Sequence, residues 1–516
     1  MRYLRLLSLT NYLFRPISFC LAFQMIIFLP KAWSTDSLVL AISKPIEAAE
    51  KQMISAPSDE TDQASEETRP DLKEHQKKKI TLEAAINRAL EANRGLEDFK
   101  DQVEGTRLSL VAAESEFELK IIPAGEASIT GNSSEGSGNN FGAGISLQKK
   151  IDVGTDIIIT PRTQKSGDLY NTGVNTTLIQ PLLRGFGREY NLSAVNSAEF
   201  GVRSAQRSFY LRQVNTVLLT ISAVYDVIRQ RELFKLNEES ALRFRAHAEA
   251  AKAKLKIGLA TQIDVYRATI QQKQAEDNLN TAREAYFSAL DNLKILLSLP
   301  LEEEIVVEAP LDYSLVRLQK EKAIETALQN RVELDQSKDN VREAERISRV
   351  AKHNIWPDLD VVFNYSQFGR GDRFGNSTGF DQDSWGIGLV TTTDLARTVE
   401  RVAYDQSLLN LRSSRRNYSL LRDEVVREVK RDYRNLRGYE KGISIQEEQI
   451  QQAKGQLELA QVKFRSGLAN NFDLIDAETK LRNVQTNLLS TVLDYIVGIN
   501  RLRASMGTLL ERPKKF

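Results

Sequence analysis

From about residue 397 to 464 the chain has no proline, and only Gly438, Gly442 and Gly455 precede Gly467. Leu421, Val425, Val429, Tyr433 and Leu436 recur here at intervals of four, four, four and three, which is the apolar stripe of a helix. About 68 residues at ~1.5 Å rise each predict a helix on the order of 100 Å long. No compact domain accommodates such a helix. It needs neighbours along its whole length, as in a coiled coil or a helical barrel. Upstream, Lys320 to Asn354 is helix-like until Pro357 stops it. The pattern then changes period. Leu359, Val361, Phe363 and Tyr365 alternate with Asp360, Asn364 and Ser366, and after a glycine-rich loop (369–379) Trp385, Ile387 and Leu389 alternate with Gly386 and Gly388. This predicts a β-hairpin with one apolar, aromatic face and one polar or small face. A transmembrane barrel uses that pattern, and so does a soluble hairpin packed on a core.

The same order of elements occurs earlier in the chain. Strand-like stretches lie at about 124–130, 143–150, 155–161 and 173–180, with a Gly/Asn/Ser loop at 131–140 and a turn at Asp152-Val153-Gly154. A second proline-poor helical stretch follows and ends at Gly258. The segments 254–268 and 463–477 agree at six of fifteen positions, with Gly258 and Gly467 lying 209 residues apart. A weaker echo joins Ala85-Ile86 and Ala89-Leu90 to Ala323-Ile324 and Ala327-Leu328. The offset is far longer than a solenoid repeat. A duplicated large unit is the reading, with copies at 80–300 and 318–510, a linker at 301–317 and a tail at 511–516. Each copy ends in a tight helical hairpin. Glycine sits just past the first helix, Lys254 and Lys256 or Lys463 and Arg465 occupy its last turn, and Thr261-x-x-Asp264 or Asn470-x-x-Asp473 resembles a capping box for the returning helix.

The amino terminus follows different rules. Arg2, Arg5 and Arg15 precede an apolar run from Ile17 to Leu29 and then Ala32-Trp33-Ser34, the layout of a secretory signal ending at residue 34. Phe19 before Cys20, the single cysteine, is too large for a lipoprotein signal. Residues 35–79 are polar and read as a disordered extension. No later stretch reaches the length of a membrane-spanning helix, so a mature chain that crosses a membrane must do so with strands. Lys and Arg total 70 against 69 for Asp and Glu, which gives nucleic acid no electrostatic footprint. The three histidines (His75, His247, His353) have no metal or triad spacing, and nucleotide-binding glycine motifs are absent. These features predict no enzyme, no cofactor and no metal.

Together these features resemble the TolC family of outer-membrane export channels over about residues 80–510. The specific pieces are the two Gly-Leu-Ala turns, Phe472-Asp-Leu-Ile-Asp-Ala477, and Gln180-Pro-Leu-Leu-Arg-Gly-Phe-Gly187, which in the family ends a strand and opens the long helix. The resemblance implies a mainly helical fold with a transmembrane β-barrel portion. It also implies a homotrimer that shares one barrel in outer-membrane lipid and one α-helical barrel in the periplasm. The chain would be a passive exit duct of a tripartite efflux or type I secretion system. Its hairpin tips (Gly258, Leu259, Ala260; Gly467, Leu468, Ala469) would meet a periplasmic adaptor (membrane fusion) protein, with an inner-membrane pump or ABC exporter beyond it. Family aspartates that line the entrance carry over to Asp473 and Asp476, six carboxylates in a trimer, a ring that favours cations. The family's Tyr and Arg latch positions read here as Phe464 and Ala469, so that latch is lost; Arg465 and Asp264 are the nearby candidates for closure. The usual count of two strands per unit is exceeded in the first unit. A periplasmic coiled-coil adaptor is the alternative reading, against which the large repeat argues.

Overall fold

The computed structural model describes residues 78–132, 136–466, 468 and 471–513. The expected signal and nearly all of the polar extension lie outside them. The first repeat comprises β1 (Lys78–Thr81), α1 (Leu82–Ala92), α2 (Arg94–Glu114), β2 (Lys120–Asn132), β3 (Gly136–Lys150), β4 (Asp156–Ser166) and β5 (Leu169–Pro181). A short helix α3 (Arg188–Asn191), the long α4 (Ser193–Lys256) and α5 (Gln262–Leu296) complete it. The linker carries β6 (Ile305–Glu308). The second repeat comprises α6 (Lys320–Asn330), α7 (Val332–His353), β7 (Asp360–Gly371), α8 (Phe374–Ser377), β8 (Gln382–Val390), α9 (Thr398–Arg465) and α10 (Asn471–Ser505). The 68 residues of α9 correspond to about 100 Å at 1.5 Å per residue, as the unbroken periodicity predicts.

The expected single helix at 320–354 is two helices. Arg331 leaves helical geometry (φ −68°, ψ 115°), and Asn93 does the same between α1 and α2 (φ −67°, ψ 118°). The break is therefore a feature of both repeats. Arg331 is held in it by Glu333 (2.9 Å) and Glu428 (2.9 Å) and by donation to the Ser505 carbonyl. The alanine echo has a packing reason. Ala85, Ala89, Ala323 and Ala327 are completely buried, because only a methyl group fits where α1 and α6 press on the long helices.

Two clusters form the core, one per repeat. In the first, Val217, Ile221, Val224 and Ile228 of α4 meet Leu290 and Leu293 of α5 and Ile305 and Val307 of β6. In the second, Val425, Val429 and Leu436 of the predicted α9 stripe meet Leu334 and Leu502, with Leu421 and Tyr433 packed alongside. Helix α10 serves both, with Leu493 in the first cluster and Tyr495 in the second. β1 pairs in parallel with β6, so the expected extension ends two residues before the 80 boundary, in a strand.

The remaining six strands form one antiparallel meander in the order β2-β3-β4-β5-β7-β8. The four strands expected in the first repeat are all present, but the expected loop at 131–140 is mostly strand, since β2 runs on to Asn132 and β3 starts at Gly136 and the two pair across it. Directly opposed residues share a face, and through the middle of the sheet the register puts most apolar residues on one side, with Ile122, Ile158, Ile179 and Val362 as exceptions near the helix end. Ile121, Leu147, Ile159, Thr176, Tyr365 and Trp385 run across one face, as do Ile157, Leu178, Phe363 and Ile387. The opposite face carries Glu126, Ser146, Arg162, Asn175, Thr177, Asn364 and Ser366 beside Gly142, Gly144, Gly386 and Gly388. At the helix end of the sheet Gly154, at φ +102°, lies so close to the 182–187 turn that a Cβ there would sit 2.4 Å from the Gly185 carbonyl. Among the described residues no helix is long and apolar enough to cross a membrane.

Two phenols tie the linker to the core beside β6: Tyr225 donates to the Pro310 carbonyl (3.1 Å), and Tyr495 holds the segment 314–316. Buried Tyr495 accepts from the Val316 amide (3.1 Å) and donates to the Ser314 carbonyl (3.2 Å). Tyr495→Phe strands both groups and should cost about 1–3 kcal/mol. That loss should appear as an earlier midpoint in guanidinium unfolding; an unchanged midpoint would mean that the linker is anchored elsewhere.

Candidate functional site

The two helical hairpins end in tips built by the same local rules. In the first, Gly258 takes φ +73°. Its amide donates to the Leu255 carbonyl (3.0 Å) and the Leu259 amide to that of Lys254 (2.9 Å), which closes the last turn of α4. Thr261 and Asp264 form the expected capping box: the Asp264 amide donates to the Thr261 hydroxyl and the Thr261 amide to the Asp264 carboxylate (2.9 Å). In the second tip the Leu468 amide donates to the Lys463 carbonyl (2.8 Å). Gly467, Ala469 and Asn470 lie outside the described residues. Leu259 (73% exposed), Leu468 (79%), Ile257, Ile263, Tyr266 and Phe472 leave apolar surface at the tips.

Asp473 and Asp476 both stand in the first two turns of α10. Asp473 is exposed, where the helix N-terminus favours a negative charge. Asp476 is half-buried and paired with Lys480 (2.9 Å) one turn on. That i,i+4 pair is visible in the sequence. Arg465 is exposed in the last turn of α9.

Phe464 has a different partner from the one a tyrosine there would need. It packs on Ala460, Leu474 and Ala477, and the Lys254 ammonium sits 3.5 Å from its ring centroid. This cation–π contact joins α4 of the first hairpin to α9 of the second, and it uses only the ring that phenylalanine retains. Two helical turns from Lys254, His247 Nε2 lies 3.0 Å from Glu478 Oε1 on α10, and the Glu478 side chain is only 4% exposed. Phe244, Ala241, Ala275 and Ile475 fill the space beside it. Between the same helices Arg243 and burial together push the Arg482 guanidinium down from its ordinary value, burial being the larger cause. The junction of the two hairpins is therefore held at two points, Lys254–Phe464 and His247–Glu478. Reading the sequence missed these partners because they lie over 200 residues apart. The one available signal was that His247 and Lys254 are seven residues apart, on one face of α4.

Asp264 is held below the ordinary carboxylate value by hydrogen bonds from the Thr261 side chain first and the Thr261 backbone second. A depressed folded-state value means that its contribution is present above the ordinary carboxylate range and is lost as pH falls through the depressed value. The protection of the Thr261 amide, measured against its intrinsic exchange rate at each pH, should therefore fall as the solution is acidified below the ordinary carboxylate range, and Asp264→Asn should abolish that acid-dependent step. A step that survives in Asp264→Asn would assign it to another group.

Residues 323–508 match the family model described as outer membrane efflux protein. The chain is 23% identical to the outer membrane protein TolC of Vibrio cholerae over 396 residues, 71% of this chain and 83% of the relative. It is 23% identical to the outer membrane efflux protein BepC of Brucella suis over 355 residues, 68% and 74% of the two chains. Among solved structures, the CmeC outer membrane channel of Campylobacter jejuni superposes with a TM-score of 0.67 at 14% identity, covering 83% of this chain and 86% of that one. VceC of Vibrio cholerae superposes at 0.66 and 15% identity, covering 83% and 96%.

Proposed function

The chain belongs to the outer membrane efflux protein family, and from that premise we propose how it works as an outer-membrane efflux channel reaching into the periplasm. One observation carries the reading: a sheet apolar on one face and polar on the other is joined directly to helices about 100 Å long. The apolar face suits lipid and the polar face suits a water-filled lumen. The long helices α4 and α9 continue that lumen into the periplasm. Three copies complete the duct, since six strands alone leave two open edges. The alternative, a periplasmic coiled-coil adaptor, has no use for strands of this length and pattern.

The two hairpin tips form the periplasmic entrance. Their exposed apolar residues, Leu259 and Leu468 above all, are the surface on which a periplasmic adaptor docks, with an inner-membrane pump or ABC exporter supplying the energy. The gate is the junction between hairpins. Lys254 on Phe464 and His247 on Glu478 hold the second hairpin against the first, replacing the Tyr and Arg latch that Phe464 and Ala469 lack. Asp473 from each copy supplies the entrance carboxylates. Asp476, paired with Lys480, stands one turn further along the same helix and adds to them.

Single-channel recording in planar bilayers tests this assignment. Wild type should pass a small cation-selective current. Asp473→Ala/Asp476→Ala should lose selectivity. His247→Ala/Lys254→Ala should keep selectivity and raise conductance, since a cation–π contact is worth about 0.5–2 kcal/mol. Currents in both double variants equal to wild type would remove these residues from the entrance.

A further inference from the structure

The first repeat contributes one hairpin more than the usual two strands, and it lies at the edge of the sheet. The first question is whether β2 and β3 belong to the wall or fold beside it. Four observations place them in the wall. The ladder is continuous: β2 pairs with β3 from Lys120–Gln148 to Asn132–Gly136, and β3 pairs with β4 from Asn140–Ser166 to Lys150–Asp156. The faces are continuous too. Ile121, Ile145, Leu147 and Phe141 lie on the same side as Ile159, Phe363 and Trp385. Ile121, Ile145 and Phe141 are exposed, as Trp385, Ile387 and Leu389 are at the other edge. At 13 and 15 residues β2 and β3 exceed the 9 of β8, and about 9–11 residues suffice to span a bilayer. On the polar face Arg162 of β4 reaches across β3 to Glu126 of β2 (2.5 Å). It passes over Gly142, where a Cβ would lie 3.2 Å from the guanidinium.

In hydrocarbon no strand edge stays open, because each unpaired backbone group costs several kcal/mol. The outer edges of this wall are β2 and β8. Strand direction alternates along the six, so β2 of one copy and β8 of the next run antiparallel when placed side by side. Pairing them extends both faces without a break, apolar against apolar and polar against polar.

We propose that the partner of the β2 edge is β8 of a second copy of this chain, so that the added hairpin is a full part of the barrel and three copies close an eighteen-stranded ring. This rests on the trimeric reading given above. The consequence is functional. Barrels of 16–18 strands leave an open aqueous channel, so the barrel does not select cargo by size. Selection falls entirely on the periplasmic hairpins, and the exit passes anything the entrance admits.

Cysteine pairs on the polar face of the full-length chain, with Cys20→Ser, test the edge. In outer membranes under mild oxidation, Ala124→Cys combined with Ser384→Cys, Gly386→Cys or Gly388→Cys should give a disulfide-linked ladder that stops at trimer for at least one of the three combinations. A second series sets Thr160→Cys of β4 against the same β8 positions; it reports a hairpin that has left the wall and should remain monomeric. Linkage in the β4 series alone would overturn the proposal and keep the trimer. Failure of both series in a protein that native mass spectrometry finds trimeric would also overturn it. Failure of both in a protein that is not trimeric would overturn the trimeric reading itself.

Discussion

The structure is governed by a requirement on backbone hydrogen bonds. Inside a bilayer every amide and carbonyl must find its partner in protein, and among the described residues no helix is apolar enough to span one, so on the proposed reading this chain crosses as a closed sheet. The alternation in this sheet follows from that constraint: Val361, Phe363 and Tyr365 turn to one side, Asn364 and Ser366 to the other. So does the geometry at its base. Each repeat must pass from a strand to a helix without leaving polar groups bare, and each does so with a dedicated anchor. In the first, Asn191 donates to the carbonyls of Gly185 and Gly187. In the second, Arg397, buried in left-handed geometry at φ 51°, donates to the carbonyls of Asn354, Ile355 and Trp356.

Below the sheet a different constraint takes over. A helix of 68 residues presents a stripe that no short partner covers. The chain meets this by duplication. α4 with α5 and α9 with α10 are two copies of one solution, and α10 is shared between their cores. Leu493 faces one cluster and Tyr495 the other, while Arg229 of α4 bonds Asp494 between them (2.5 Å). The two halves are stitched firmly here and loosely towards the tips, where the contacts shrink to Lys254–Phe464, His247–Glu478 and a small apolar patch. Local stability follows the number of buried contacts. On the proposed reading the tips are the part that opens while the rest keeps its shape.

Much of this was legible because it is local. The stripe of α9, the glycine past α4 and the capping box at Thr261 are each set within one or two turns of sequence, and the structure reproduces them. The six strands were legible for the same reason, since alternation and turn residues are short-range signals. The break at Arg331 was not. Leu328 to Arg331 would continue a helix comfortably, and the break is imposed by Glu428 and the Ser505 carbonyl, which belong to distant helices. The hairpin junction was hidden for the same reason. Phe464 read as a lost latch because its new partner, Lys254, lies on another helix, and Asp476 read as a free carboxylate although its partner stood four residues away.

Electron cryomicroscopy of the purified full-length protein in lipid nanodiscs tests the central claim most directly. The account predicts a threefold ring: a closed β-wall within the lipid disc, continuous with a helical tube about 100 Å long that ends in paired hairpin tips. A monomer or dimer with its sheet lying against the disc, or helices that do not enclose a lumen, would contradict it.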